Sequence, residues 1–150
     1  MLVNGWTLLF HEAIVEQLSS LNAAARRARK SDPGNFKSNS NVKLLAAIGK
    51  LMFEVIPADP SRSEFRHGNT LGLEYRHWFR ARFLGRFRLF FRYDSRARII
   101  VYAWVNDERT LRQSGGRNDP YEVFQRMLKS GNPSNDWNDL LKSARDLPPE

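Results

Sequence analysis

From Glu12 to about Lys30 apolar residues recur every three or four positions, at Ile14, Leu18, Leu21 and Ala25, which predicts an amphipathic helix. Arg26, Arg27, Arg29 and Lys30 suit the negative end of its dipole, and Ser31-Asp32-Pro33-Gly34 stops it. Before it, Leu2 to Phe10 reads as a short strand loosened at Gly5. A second helix is predicted from about Ser40 to Val55, with Leu44, Ile48, Leu51, Met52 and Val55 on one face and Pro57 and Pro60 ending it. A loop-like stretch carrying Arg66, His67 and Gly68 leads to three strands, at about Arg76–Phe83, Arg86–Tyr93 and Arg98–Asn106. The polar segment Asp107 to Asn118, with Gly115 and Gly116, is expected to be mobile. Asp119 and Pro120 cap and start a third helix through Tyr121, Phe124 and Leu128. A short last helix, about Asp136 to Ala144, hangs off the end, so that 132–150 reads as a helical appendage on a single domain spanning 1–150.

Helices preceding a run of hairpin-linked strands indicate an α+β fold, with the N-terminal helices packed on one face of a twisted, mainly antiparallel sheet. The opposite face is then free for water or a ligand. Side chains alternate along strands. Phe79, Ala81 and Phe83 therefore share a face with Phe87, Leu89, Phe91 and Tyr93, provided that Leu84, Gly85 and Arg86 form a three-residue turn. That register gathers Trp78, Arg80, Arg82, Arg88, Phe90 and Arg92 on the other face. The third strand is apolar at both parities, which suggests a central position where its small residues floor a groove and Tyr102 and Trp104 belong to the core.

Charge gives this second face its interest. The 150-residue chain has a formal net charge of +8, and 18 of its 24 basic residues are arginine. Eight arginines fall between Arg76 and Arg98, where Asp94 is the one acid. A solvated face normally mixes its signs. Arg82 opposite Arg88 without an acid nearby costs stability, which makes sense if the pair is aimed at phosphates. Aromatics beside arginines suit single-stranded RNA, and Trp78 and Tyr121 are the candidates to stack a base. Without cysteine there is no disulfide or thiolate metal site, and His11, His67 and His77 are not spaced as metal ligands. Neither a metal nor another cofactor is expected, and the absence of a bilayer-length apolar run or a secretory start points to the cytoplasm.

Several strings resemble the YhaV toxin family: Val3-Asn4-Gly5-Trp6, Phe65-Arg66-His67-Gly68 with Leu71-Gly72, the run from Gly85 to Tyr93, Trp104-Val105-Asn106-Asp107-Glu108, and Tyr121-Glu122-Val123-Phe124. They span residues 3 to about 137. The resemblance implies a small RelE-like domain of the RelE/ParE superfamily. It also implies an mRNA-cutting, ribosome-associated toxin of a type II toxin–antitoxin system. Its partner would be a PrlF-type antitoxin with a swapped-hairpin DNA-binding fold, through which alone it would meet operator DNA. Matched to the superfamily's ribonucleases, Arg80, Arg82, Arg88 and Tyr121 take the catalytic positions. Arginines stand at the first two where lysines are usual, and arginine stays protonated, so neither can serve as a base.

Metal-independent cutting of RNA usually proceeds by attack of the ribose 2′-hydroxyl on the neighbouring phosphorus. Arg88 is placed to stabilise the charge that develops, with Arg80 and Arg82 on neighbouring phosphates. Tyr121 and His67 are the candidate proton-transfer groups, although His67 also suits a structural hydrogen bond and Tyr121 a stacking role. Arg86, Arg92 and Arg112 join Trp78 as candidate RNA contacts. Two alternatives use the same fold, a nucleic-acid-binding module without an acid–base group and a ParE-like gyrase inhibitor.

Overall fold

In the computed structural model, residues 1–148 are described. Asn4 and Gly5 both take left-handed backbone (φ 50° and 81°), the two-residue hairpin geometry that an Asn-Gly pair favours. The expected first strand is thereby split into β1 (Leu2–Val3) and β2 (Trp6–His11), with Val3 opposite Trp6. The His11 ring accepts the Ala13 N–H and caps α1 (Glu12–Ser31). Asn39 caps α2 (Ser40–Lys50) in the same way. That helix widens into a π-helical turn, Leu51–Val55, and continues as α3 (Ile56–Ala58), past the end expected at Val55. The buried Tyr102 hydroxyl donates to the Met52 carbonyl within the π-helical turn (2.7 Å).

The strand expected from Arg76 begins only at Phe79, because Leu73–Tyr75 forms a 3-10 turn first. Strands β3 (Phe79–Phe83), β4 (Phe87–Asp94) and β5 (Ile99–Val105) form a meander. The three-residue turn and its register are as expected, Phe83 facing Phe87 and Arg82 facing Arg88. After a polar connection come α4 (Pro120–Ser130), α5 (Trp137–Ser143) and β6 (Ala144–Arg145). The sheet order is β1-β2-β5-β4-β3, with β6 also on β2. All pairings are antiparallel except β2 with β5, so the fold is α+β and β5 is central.

One face of the sheet packs Leu8, Phe10, Leu89, Phe91, Ile100 and Tyr102 against α1 and α2. The expectation of an open opposite face is corrected. There Trp78, Phe90, Val101, Ala103 and Trp104 lie beneath α4 and α5, in contact with Phe124, Leu128 and Leu140. A register shift at Phe90/Phe91 pairs Phe90 with Trp104 and Phe91 with Tyr102. The extra residue, Ala103, lets Trp104 join the α4 side while Val105 returns to the other. β5 is apolar at both parities because helices cover both faces of the sheet, and Ala103 packs beneath a helix instead of flooring a groove. Phe124 stacks on Phe90 at 4.4 Å between centroids, a contact worth about 0.5–1.5 kcal/mol beyond the area it buries. Helix α5 does not hang off the end, since Leu140 is fully buried and the residues after α5 pair with β2. No helix among the described residues is long and apolar enough to cross a membrane.

Candidate active site

The arginines of the β3–β4 hairpin converge where α4 begins. Asp119 caps α4 by accepting the Tyr121 N–H (3.1 Å), and Pro120 fixes the first helical residue. This places the Tyr121 ring edge-on against Phe90, 5.6 Å between centroids. Its hydroxyl oxygen then accepts two hydrogen bonds, from Arg80 Nε (2.8 Å) and from Arg88 Nε (3.1 Å). The Arg112 guanidinium covers the ring at 4.7 Å and donates to the Asp119 carboxylate at 2.8 Å.

Each arginine is held differently. Arg88 is buried, its Nη1 donating to the carbonyls of Gly85 (3.0 Å) and Phe87 (2.8 Å). Its backbone N–H donates to Asn106 Oδ1, while Asn106 Nδ2 donates to the carbonyls of Arg86 and Thr110. The fully buried Asn106 thus ties the Arg88 backbone to the turn that leads to Arg112. Arg80 Nη1 donates to the Glu64 carbonyl. Arg86 and Arg112 are joined twice, through Arg86 Nε to the Arg112 carbonyl and the Arg112 N–H to the Arg86 carbonyl. Arg82 is exposed and makes no ion pair among the described residues. Three arginines, Arg80, Arg88 and Arg112, therefore touch one phenol, with Arg82 and Arg86 beside them on the hairpin, and Asp119 is the one carboxylate among the described residues that pairs with any of the five. Such an excess of fixed cations creates a strongly positive local field, suited to a phosphodiester.

Other candidates from the sequence lie elsewhere or are already occupied. The Trp78 ring is fully buried, packed edge-on against Phe124 and hydrogen-bonded through Nε1 to Asn135 Oδ1, so no face is left for a base. Arg92 lies four residues along β4 from Arg88, between Trp78 and Trp137 (5.4 and 5.1 Å), with Nη1 donating to the Asn135 carbonyl. Desolvation there pulls its pKa down to about 10. Tyr121 is also buried, which leaves its hydroxyl edge and not its ring for chemistry. Both His67 nitrogens are engaged, Nδ1 by the Leu71 N–H and Nε2 by the Tyr75 carbonyl. Burial holds the His67 pKa below its ordinary value, with Arg80 and Arg76 pushing the same way. Its structural reading is the one this geometry fits.

The polar connection expected to be mobile is tethered at Asn106, at the Asp107–Thr110 capping box and at Asp119. Asn106 gave no signal in the sequence, since an asparagine after a strand is commonplace. Asp119 was visible as a helix cap but not as a partner for Arg112. Among the described residues no three histidine, aspartate or glutamate side chains converge as metal ligands would.

A family model described as a toxin with endonuclease activity, of a toxin–antitoxin system, matches residues 8–145. The chain is 40% identical over 146 residues to the ribonuclease toxin YhaV of Escherichia coli K12, covering 96% of this chain and 95% of that protein. The toxins YhaV of Escherichia coli O157:H7 and O6:H1 match at the same 40% identity and coverage. No solved structure matches. The chain belongs to the YhaV family of toxins with endonuclease activity.

Proposed function

We propose that the cluster of Arg80, Arg82, Arg88 and Tyr121 cuts RNA without a metal, by attack of a ribose 2′-hydroxyl on the adjacent phosphorus. The observation that carries this reading is the Tyr121 hydroxyl, held by two guanidinium Nε–H donors in a site with one carboxylate. As the 2′-oxygen bonds to phosphorus and the P–O5′ bond breaks, the 2′-hydroxyl proton passes to solvent water, while the phenol, whose oxygen accepts both N–H groups, gives its O–H proton to the departing 5′-oxygen and is reprotonated from water. The two cationic donors stay on that oxygen after the proton leaves. Arg88, fixed by two carbonyls, has its remaining guanidinium N–H groups to set against the charge that grows on the phosphorane. Exposed Arg82 and Arg86, with Arg112, hold the flanking phosphates.

The scarcity of clustered carboxylates and imidazoles favours cationic over metal-assisted stabilisation. A binding module does not need a proton donor between two arginines, and a gyrase inhibitor has less use for a convergent arginine site. The family's place in toxin–antitoxin systems supports an antitoxin partner. We assign it to the PrlF type, carrying an acidic surface that faces these arginines, with the toxin acting in the cytoplasm on mRNA at the ribosome. The test is to incubate the purified toxin with end-labelled RNA in EDTA and identify the new termini. Expected are 2′,3′-cyclic phosphate and 5′-hydroxyl ends; 5′-phosphate ends, or loss of ribosome-free cutting with chelator, overturn the mechanism.

A further inference from the structure

On the layer opposite Tyr121, a groove of about 730 Å³ runs between α1 and the segment formed by α2 and the π-helical turn. Its walls are mainly apolar, with Val15 and Leu18 from α1 and Leu45 and Phe53 from the facing segment, while Ser19 and Asn22 of α1 are polar and Met1, Leu147 and Pro148 close one side. Among the described residues no lining residue is acidic, and Arg26 in the lining is exposed and forms no ion pair.

Gly49, also in the lining, lies inside α2 on ordinary helical backbone, and a Cβ built on it meets nothing within 4 Å. Neither backbone geometry nor packing within this chain calls for glycine, which weakens a helix interior. What its hydrogen provides is a bare stretch of helix backbone facing the groove. A second polypeptide segment that comes in close would use that space.

We propose that this groove docks an acidic amphipathic segment of the cognate antitoxin, its apolar side chains against Val15, Leu18, Leu45 and Phe53 and a carboxylate on Arg26. The proposal rests on the reading of this chain as a toxin paired with an antitoxin. A volume of this size accommodates several side chains. A second copy of the chain would bring the same unpaired Arg26 and another +8 of charge, which opposes association. RNA would find one arginine among mainly hydrocarbon walls, where the active-site face offers several. The antitoxin would then be anchored behind the sheet, with a separate portion left to face the arginine site.

Two variants test this, with binding of the purified cognate antitoxin measured beside RNA cutting by the free toxin. Gly49→Leu puts a side chain into the groove from a position where a Cβ meets no atom within 4 Å, and it favours the helix. It is expected to weaken antitoxin binding about 30-fold or more, the size of a hot-spot loss. Arg26→Glu, at an exposed position, is expected to weaken binding roughly tenfold, mainly through the association rate and less as salt rises. Neither is expected to alter RNA cutting. Wild-type antitoxin affinity in both variants overturns the proposal. So does hydrogen-exchange protection of residues 45–53 that follows toxin concentration and not added antitoxin, which would mean self-association. If the wild-type toxin fails to cut RNA while both variants lose antitoxin binding, the nuclease reading falls and the docking groove stands.

Discussion

The two ends of the β4 arginine face use the same residue types for different purposes. At one end Arg92 lies between two indoles, its guanidinium bonded to the Asn135 carbonyl, in a pocket that lowers its own pKa to about 10. At the other end Arg80 and Arg88 meet on a hydroxyl, beside Arg112, with Arg82 and Arg86 exposed next to them. An arginine beside an aromatic is thus no sign of a binding site by itself. The difference lies in what the covering helices leave unsatisfied. The turn before α5 supplies a carbonyl and α5 itself an indole to Arg92, whereas the start of α4 supplies Arg88 with a hydroxyl oxygen that it shares with Arg80.

The largest expected effect comes from exchanging the two ends in mutagenesis. Arg88→Ala is expected to lower RNA cutting by ~10²–10³-fold, the usual cost of losing one charge-stabilising donor. It is also expected to lower the melting temperature, because the residue is buried and its loss strands the Gly85 and Phe87 carbonyls. Arg92→Ala is expected to destabilise the fold by about 1–3 kcal/mol through lost packing and an unsatisfied carbonyl, while the folded fraction cuts at the wild-type rate. Equal rate losses in the two variants, corrected for folded fraction, would erase the distinction between the ends.

Parity and burial placed the arginines on one face and fixed the hairpin register, because any slip would bury charge beside Phe83 and Phe87. The same reasoning failed to close that face. The apolar positions of α4 were legible, but nothing local says whether an amphipathic helix covers the inner or the outer side of a sheet. Trp78 and Arg92 were misjudged for that reason, since they look exposed until Phe124, Asn135 and Trp137 are laid over them. The bulge at Ala103 was also invisible, because two apolar parities describe a bulged strand and a fully buried one equally well. Tyr121 was legible as an aromatic that could stack a base and took a catalytic position only through the family resemblance, while its meeting with Arg80 and Arg88 is a tertiary fact.

Asn106 provides the next test, at the active end alone. Asn106→Ala leaves the Arg88 N–H and the Thr110 carbonyl without partners and the Arg86 carbonyl with the Arg112 N–H alone, at a cost of about 1–3 kcal/mol. As a positioning residue it should affect kcat more than KM, because Arg88 would shift against the phosphorane while exposed Arg82 and Arg86 still hold RNA. Asn106→Asp keeps the acceptor for Arg88 and loses both donors. It is expected to fall between alanine and wild type in kcat. A change in KM alone would make Asn106 part of RNA binding instead.

Arg82 separates binding from chemistry within the active end. It is exposed and unpaired, so Arg82→Gln should leave the melting temperature unchanged. RNA binding is expected to weaken roughly uniformly across sequences, and the logarithmic dependence on salt should lose about one unit of slope per phosphate contact removed. An unchanged salt slope with a large loss in kcat would instead place Arg82 at the scissile phosphate.

The smallest effect concerns acid, and it falls on residues that brace both ends. His77 Nε2 meets Asn135 Oδ1, the atom that also receives Trp78 Nε1, while His67 bridges Leu71 and Tyr75 near Arg80. Burial lowers the pKa of both, with Arg92 pushing His77 down and Arg80 pushing His67 down. The unfolded chain therefore takes up protons first as pH falls through the ordinary value of 6.5. Stability is full above that value, declines below it, and stops declining once the folded histidines also protonate. Urea midpoints measured between about pH 7 and pH 5 should decrease accordingly. His77→Gln should flatten part of the decline, and His67→Gln another part. A flat profile in the wild-type protein would show that both rings protonate in place, and that the contacts around Asn135 and Tyr75 tolerate a charge.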